Sequence, residues 1–201
     1  KEDKMTRERL TSRERKLKIQ NIALDVFTRK GYKNTSMYDL VKATGLSTGG
    51  LYHYYKSTTE ILYDLMLRGC KYREDIIEKK ICEISKPLSV ELLAEITVDR
   101  ALSTNIFIPI YVMFLQSMKE DEDLQELYKK LQDNYIKNFK RMLDEYDYGE
   151  ICEESLKLLN DLLNTIILSC ETLGIREHLV SQRQVLEKMI IDVLMINREE
   201  V

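Results

Sequence analysis

The chain has 201 residues, 44% of them apolar and 32% charged, the balance of an ordinary soluble globule with room for one or two domains. Its 7 Gly and 2 Pro cannot supply the turn about every 8–12 residues that a sheet-rich fold needs, and its longest apolar run, Ile106 to Leu115, is shorter than the roughly 20 residues of a membrane span. The net charge of −3 is split: residues 1–58 carry 13 Lys/Arg against 6 Asp/Glu, and the rest carry 18 against 28. A basic end on an acidic body is the pattern of a chain that meets a polyanion at one end, although a solvated helix face gives the same composition.

In chain order, the densest basic stretch comes first, with Arg7, Arg9, Arg13, Arg15, Lys16 and Lys18. Residues 13–30 follow as a first helix, with Ile19, Ile22, Ala23, Val26 and Phe27 at helical spacing and Gly31 as its stop. A second helix opens at Ser36, with Asp39 three residues on, and ends at Gly45. Ser47 caps a short third helix that reaches Tyr54. The Ser57-x-x-Glu60 box opens a fourth, which continues through Leu62 and Leu65 towards Ile84 until Pro87 breaks it. Further helices are expected at 89–102, 105–118, 123–145, 152–173 and 182–197, which makes an all-α chain of about nine helices.

Residues 36–55 carry the chemistry. Two helices separated by about three residues, with a glycine between them, have the spacing of a helix-turn-helix. In such a unit the second helix enters the major groove with its N-terminal residues on base edges. Ser47 and Thr48 are small donors at that end. Gly49 and Gly50 leave room for the duplex, at about 2 kcal/mol of helix propensity relative to alanine. Tyr52, His53, Tyr54, Tyr55 and Lys56 then concentrate donors suited to phosphates. Leu40, Val41, Leu46 and Leu51 read as core. Tyr54 and Tyr55 either face DNA or pack under the first helix, and packing is the better reading for Tyr55.

Residues 14–66, through "ALDVFTRKGYKNTS", "LVKATGLSTGGLYHYYKS" and "TEILYDLM", resemble the DNA-binding domain of the TetR family of bacterial transcriptional regulators. The resemblance covers about a quarter of the chain. It implies a DNA-binding domain over residues 1–56, with the basic arm, and a helical ligand-binding and dimerisation domain over residues 57–201. It places Thr35 and Ser36 beside a phosphate and Ser47, Thr48 and Gly49 at the base-reading end. It sets Tyr52, His53 and Lys56 on the backbone and groove. Many relatives carry Lys or Arg where Thr48 stands and Lys where Thr58 stands, which implies a weaker electrostatic grip here unless the basic arm compensates.

For the body, the resemblance implies a small-molecule effector. Candidate contacts are Met66, Phe107, Tyr111, Phe114, Tyr128 and Tyr135, though aromatics and methionines at such spacing are more often core. Arg68 and Arg100 are the only cations that stand out among apolar stretches, which favours an uncharged or cationic effector over an anionic one. Wide apolar stripes on the last two long helices suit a four-helix homodimer interface through Leu159, Leu163, Ile166, Cys170, Met189, Ile190 and Val193.

Cys70, Cys82, Cys152 and Cys170 form no CxxC pair, and there are only two histidines, His53 and His178. Reduced, mostly buried thiols are expected, with no metal and no cofactor. No nucleophile–base pair or paired carboxylate stands out, so a helical enzyme is the weaker alternative. A DNA-binding dimer without a ligand is the other. No basic-then-apolar leader opens the sequence. The expected protein is a cytoplasmic homodimeric repressor on a pseudo-palindromic double-stranded operator, released by a small molecule.

Overall fold

A computed structural model describes residues 10–82 and 88–196. Ten α-helices follow one another: α1 (Ser12–Lys30), α2 (Met37–Thr44), α3 (Thr48–Tyr52), α4 (Thr58–Ile81), α5 (Val90–Leu102), α6 (Ile108–Ser117), α7 (Glu122–Glu145), α8 (Glu153–Leu173), α9 (Arg176–Ser181) and α10 (Arg183–Met195). No strand occurs among the described residues. The chain divides into two compact units, one ending at Leu65 and one beginning at Met66, so the division falls within α4.

In the first unit, side-chain caps set the helix starts. Thr11 and Glu14 form a capping box that begins α1 one residue earlier than expected. Ser36 Oγ accepts from the Asp39 N–H at 3.2 Å while Asp39 Oδ2 accepts from the Ser36 N–H at 2.8 Å, so the expected box on α2 is complete. Lys30 pairs with the same carboxylate at 2.7 Å. These bonds hold the Asp39 carboxyl well below its ordinary range, chiefly through Lys30 and Ser36. Gly45 ends α2 at φ 67° and ψ 15°, a left-handed turn that a side chain adopts only with strain, and its N–H closes onto Val41 O at 3.1 Å.

A polar knot holds this unit together. Gln20 Nε2 donates to the Tyr55 hydroxyl at 2.8 Å and to Asp64 Oδ2 at 3.1 Å, and Tyr55 donates to the same oxygen at 2.7 Å. Lys16 Nζ lies 4.8 Å from the centre of the Tyr55 ring and 3.8 Å from Asp64. Tyr55 is 2% exposed and therefore packs, while Tyr54 is half-buried. Every group in the knot has a partner, which removes the penalty of burying it.

The second unit is built around α8, which packs against α5, α6, α7 and α10, and α5 lies chiefly on α10. The shared core draws Ile77 and Ile81 from α4, Leu93 and Val98 from α5, Phe139 and Leu143 from α7, Leu156 and Leu159 from α8, and Ile190 and Leu194 from α10. Gly69 of α4 has a packing reason, because a Cβ there would lie 3.2 Å from Phe107 Cβ.

Two helix expectations change. Residues 105–107 form a turn in which Asn105 Oδ1 accepts the Phe107 N–H at 2.9 Å; α6 starts at Ile108, with Pro109 in its first turn, and a 3₁₀ turn follows at Met118–Glu120. The segment after Gly174 contains the extra helix α9, with His178 exposed on it. It is anchored by Arg176, whose guanidinium donates to Leu102 O and Ser103 O and pairs with Glu171. Ile84 and Pro87, the expected end of the fourth helix, and the last expected helical residue, 197, lie outside the described residues, as do Arg7 and Arg9.

The cysteines are also less buried than expected. Cys170 alone is buried, Cys82 is exposed, and Cys70 and Cys152 are intermediate. Cys152 stands at the start of α8, where its Sγ accepts the Ser155 N–H at 3.4 Å.

Candidate nucleic-acid interface and effector cavity

The helix-turn-helix presents one exposed edge. Ser47 is the N-cap of α3, its Oγ accepting the Gly50 N–H at 3.1 Å. Thr48, Gly49, Tyr52, His53 and Lys56 follow, all exposed. The two glycines have different surroundings. A Cβ on Gly50 would crowd Ser47 Oγ at 3.1 Å, so the cap would have to give way slightly, whereas a Cβ on Gly49 would find nothing within 4 Å. Among the described residues, no steric contact calls for glycine at 49. His53 rests edge-on against Tyr54, with ring centres 4.9 Å apart. Lys56 Nζ donates to Tyr52 O at 3.3 Å, and its backbone N–H donates to Glu60 Oε2 at 2.6 Å. The glutamate of the expected Ser57 box thus reaches one residue further back, while Ser57 Oγ accepts the Glu60 N–H at 3.2 Å as expected.

Thr35 and Ser36 are placed differently. Thr35 is buried and donates its hydroxyl to Gly31 O at 2.8 Å, closing the turn between α1 and α2. Ser36 is exposed, but its hydroxyl serves Asp39 at 2.6 Å. In the described part of the basic arm, Arg13 and Lys18 are exposed, and Lys16 is engaged with Tyr55 and Asp64.

The second unit encloses a cavity of about 420 Å³, within the range of small-molecule sites. Its walls come from α4, α5, α6, α7 and α8. Tyr111, Tyr128, Asn160 and Asn164 form one hydrogen-bonded network on them. The Tyr111 hydroxyl donates to Asn164 Oδ1 at 2.8 Å, and Asn164 and Asn160 donate to the Tyr128 hydroxyl at 3.0 and 3.2 Å. Burial pushes the Tyr111, Tyr128 and Tyr135 hydroxyls up from their ordinary pKa, so all three are neutral donors. Arg73 and Arg100 also line the cavity, each guanidinium stacked on a tyrosine: Arg73 is 4.8 Å from the Tyr111 ring centre and Arg100 is 4.9 Å from that of Tyr135.

Residues 19–65 match the family model of bacterial regulatory proteins, tetR family. At its N-terminal end the chain carries the DNA-binding helix-turn-helix of TetR-family transcriptional regulators. It is similar to the uncharacterized HTH-type transcriptional regulator YfiR of Bacillus subtilis (strain 168), at 28% identity over 138 residues that cover 68% of this chain and 67% of that protein. Its fold is that of GusR from Salmonella enterica (TM-score 0.71, 21% identity, 92% of this chain and 98% of that one). The fatty acid degradation regulator FadR from Bacillus halodurans shares it too (TM-score 0.65, 15% identity, 92% and 97%). Among the described residues of the regulator, no helix is long and apolar enough to cross a membrane, and no cluster of three or more His, Cys, Asp or Glu could hold a metal ion.

Of the six residues expected at an effector site, the regulator brings Tyr111, Tyr128 and Tyr135 to the cavity wall. Met66, Phe107 and Phe114 are not on it; they are 2%, 7% and 0% exposed. Arg100 lines the cavity, but Arg68 instead lies over the Phe107 ring at 5.5 Å. Arg73 does not stand out in the sequence. Its signal is a cation at helical spacing between the apolar positions Met66 and Ile77, on the buried face of α4.

The residues expected at a dimer interface are mostly taken up within the chain itself. Leu159, Leu163, Ile166, Cys170, Ile190 and Val193 are buried in the protomer's own core, and only Met189 is exposed. The stripes on α8 and α10 are wide enough for two faces, and the protomer takes their centres. What remains outside is Leu158 and Leu173 on α8, Val180 on α9, and Val185, Met189 and Met195 on α10.

Proposed function

We propose that the regulator is a homodimeric repressor, released from its operator when a small molecule enters the cavity of the second unit. The observation that carries this reading is the cavity itself, walled by five helices and lined by neutral hydroxyl and amide donors, in a family whose members bind DNA and typically dimerise. Ser47, Thr48 and Gly49 read base edges in the major groove, and Tyr52, His53 and Lys56 hold the phosphates and the groove wall. Thr35 and Ser36 act indirectly, by shaping the start of α2. The dimer face is the apolar surface left outside the core, Leu158, Leu173, Val185 and Met189. Two heads related by a two-fold axis then call for a pseudo-palindromic site. The protein acts in the cytoplasm and by binding alone, without a catalytic step.

The link is α4, which carries Ile61 and Leu62 among the buried residues of the first unit and Arg73 and Ile77 on the cavity wall. An effector works only if it binds the DNA-incompetent state more tightly. A coupling of about 1–3 kcal/mol lowers operator affinity about 5–150-fold, and operator lowers effector affinity by the same factor.

A gel shift on the DNA upstream of the protein's own gene, with and without metabolite extract, tests this. A salt-sensitive shift that the extract reverses is the expected result. A shift that no extract alters means a ligand-independent DNA-binding dimer, and no shift at all overturns the reading.

A further inference from the structure

The second unit buries charge without balancing it. Arg73 is 7% exposed, and its Nε has no hydrogen-bond partner. Its one polar contact of this kind is Nη2 to Cys70 Sγ at 3.5 Å. Arg100 is half-buried on the same wall, and desolvation first, then the charge of Arg73, lowers its pKa. Among the described residues, neither guanidinium has a carboxylate within ion-pair distance. The acids that line the cavity are at its wet side: Glu78 and Glu145 are exposed, and half-buried Glu74 already accepts from Asn138 Nδ2 at 2.8 Å. The neighbouring residue on α5 shows the usual solution, for Asp99 pairs with both Lys80 and Arg183.

A buried cation without a counter-charge is costly, and two side by side are costlier. Stacking on Tyr111 and Tyr135 offsets part of this, but a ring face supplies no formal negative charge. A guanidinium fork matches a carboxylate in two parallel hydrogen bonds, and the match is strongest where water is excluded. Leu131, Leu163 and Ile167, all buried, supply apolar wall between polar groups such as Gln132, Asn138 and the Tyr128–Asn160–Asn164 network.

We propose that the cavity takes an amphiphilic monocarboxylate, its head between Arg73 and Arg100 and its apolar body against α7 and α8. The inference rests on reading this cavity as the effector site, and it reverses the expectation of an uncharged or cationic ligand drawn from composition. Tyr111, already tied to Asn164, holds the Arg73 plane in place.

Calorimetric titration of the full chain, without DNA, with octanoate, octanol and octylamine tests it. These probes share one tail and differ only in head charge. Octanoate should bind about tenfold or more tighter than octanol, and octylamine weakest, through the charge-assisted hydrogen bonds that only the carboxylate accepts. Arg73→Met and Arg100→Met should each lower the ratio of octanoate to octanol affinity, and Arg73→Lys should keep part of the preference. In the absence of ligand, Arg73→Met should melt at the same temperature as the parent or higher, because it removes an unpaired buried charge. Octanol or octylamine binding as tightly as octanoate overturns the inference. So does a preference that survives both methionine variants together, or no binding of any probe at millimolar concentration. Operator release is measured separately by anisotropy. Octanoate that binds but leaves the operator bound counts against the effector reading and not against the anion site. Extract that releases the operator, with no carboxylate preference in the octyl series, does the reverse.

Discussion

The reading edge of α3 and the cavity of the second unit are both polar, and they handle polarity in opposite ways. At the edge, Thr48, Gly49, Tyr52, His53 and Lys56 stay in water, and the buried polar groups nearby, Gln20 and Tyr55, are satisfied within the unit. In the cavity, Arg73 is taken out of water and Arg100 partly so, without an acid to meet them. A surface that awaits DNA can be built with little loss of stability, because phosphates come to solvated donors. A pocket that awaits an anion cannot, because its charges are desolvated before the ligand arrives.

Substitutions break or sharpen this contrast, and the largest effect belongs to the core that frames the cavity. Ile190 is fully buried, so Ile190→Asp should destabilise the second unit by about 4 kcal/mol or more, seen as a loss of cooperative thermal unfolding by circular dichroism. Leu158→Asp with Val185→Asp, both at exposed positions, should leave the melting temperature within a few degrees and give monomers by sedimentation. Equal destabilisation by the two sets would mean that the core and the outer face are not separate.

The next effect is in the head. Tyr55→Phe removes the donor to Asp64 and the acceptor of Gln20, and should cost roughly 1–3 kcal/mol in denaturant unfolding. A neutral result would show that the knot is not needed to hold the reading helix.

Gly49→Ala separates stability from function at one residue. With open space around the added methyl, α3 should gain up to about 1 kcal/mol, while operator affinity falls because the duplex approaches there. Fluorescence anisotropy and thermal melting on the same sample check both signs, and unchanged affinity would remove Gly49 from the interface. Lys56→Ala should weaken binding to all sequences alike and lower the log–log salt slope by about 1. Thr48→Ala should instead change which sequence is preferred.

The smallest effect concerns Asp99, the balanced counterpart of Arg100. Burial works to raise its pKa, but Lys80 and Arg183 hold it below the ordinary 3.8. The folded protein therefore releases this proton more readily than the unfolded chain. The stabilisation is fully present above about pH 4 and is lost as pH falls through the lower folded value. Asp99→Asn should remove about 1 kcal/mol or less, since the carboxylate is partly exposed, and should flatten the acid limb of the stability–pH curve. An unaltered acid limb would assign the acid sensitivity to other carboxylates.

The head is legible in the sequence because its information is local. Ser36 and Asp39 cap a helix three residues apart, Gly45 turns the chain, and Ser47 caps the next helix, all within one short segment. Hydrogen bonds of that range depend on spacing alone, so helix starts, the turn and the exposed donors follow from it. The spacing puts Thr35 and Ser36 at the right turn, but not the inward direction of the Thr35 hydroxyl, which depends on Gly31 O being four residues behind it in a turn.

The body is legible only as helices. Periodicity marks the apolar stripes of α8 and α10, but a stripe does not say which part faces the protomer's own α5 and which part is left outside. Packing settles that, by burying Ile190 and Leu159 and leaving Leu158 and Val185 exposed. The cavity depends on convergence as well. Arg73, Arg100, Tyr111, Tyr128 and Asn164 come from five helices and are up to 91 residues apart in sequence, so no local pattern joins them. Composition determined that the chain would be helical and its basic end solvated. Only the tertiary structure decided that two arginines would share one cavity wall, because burial and charge balance belong to the packed assembly of helices and not to any one of them.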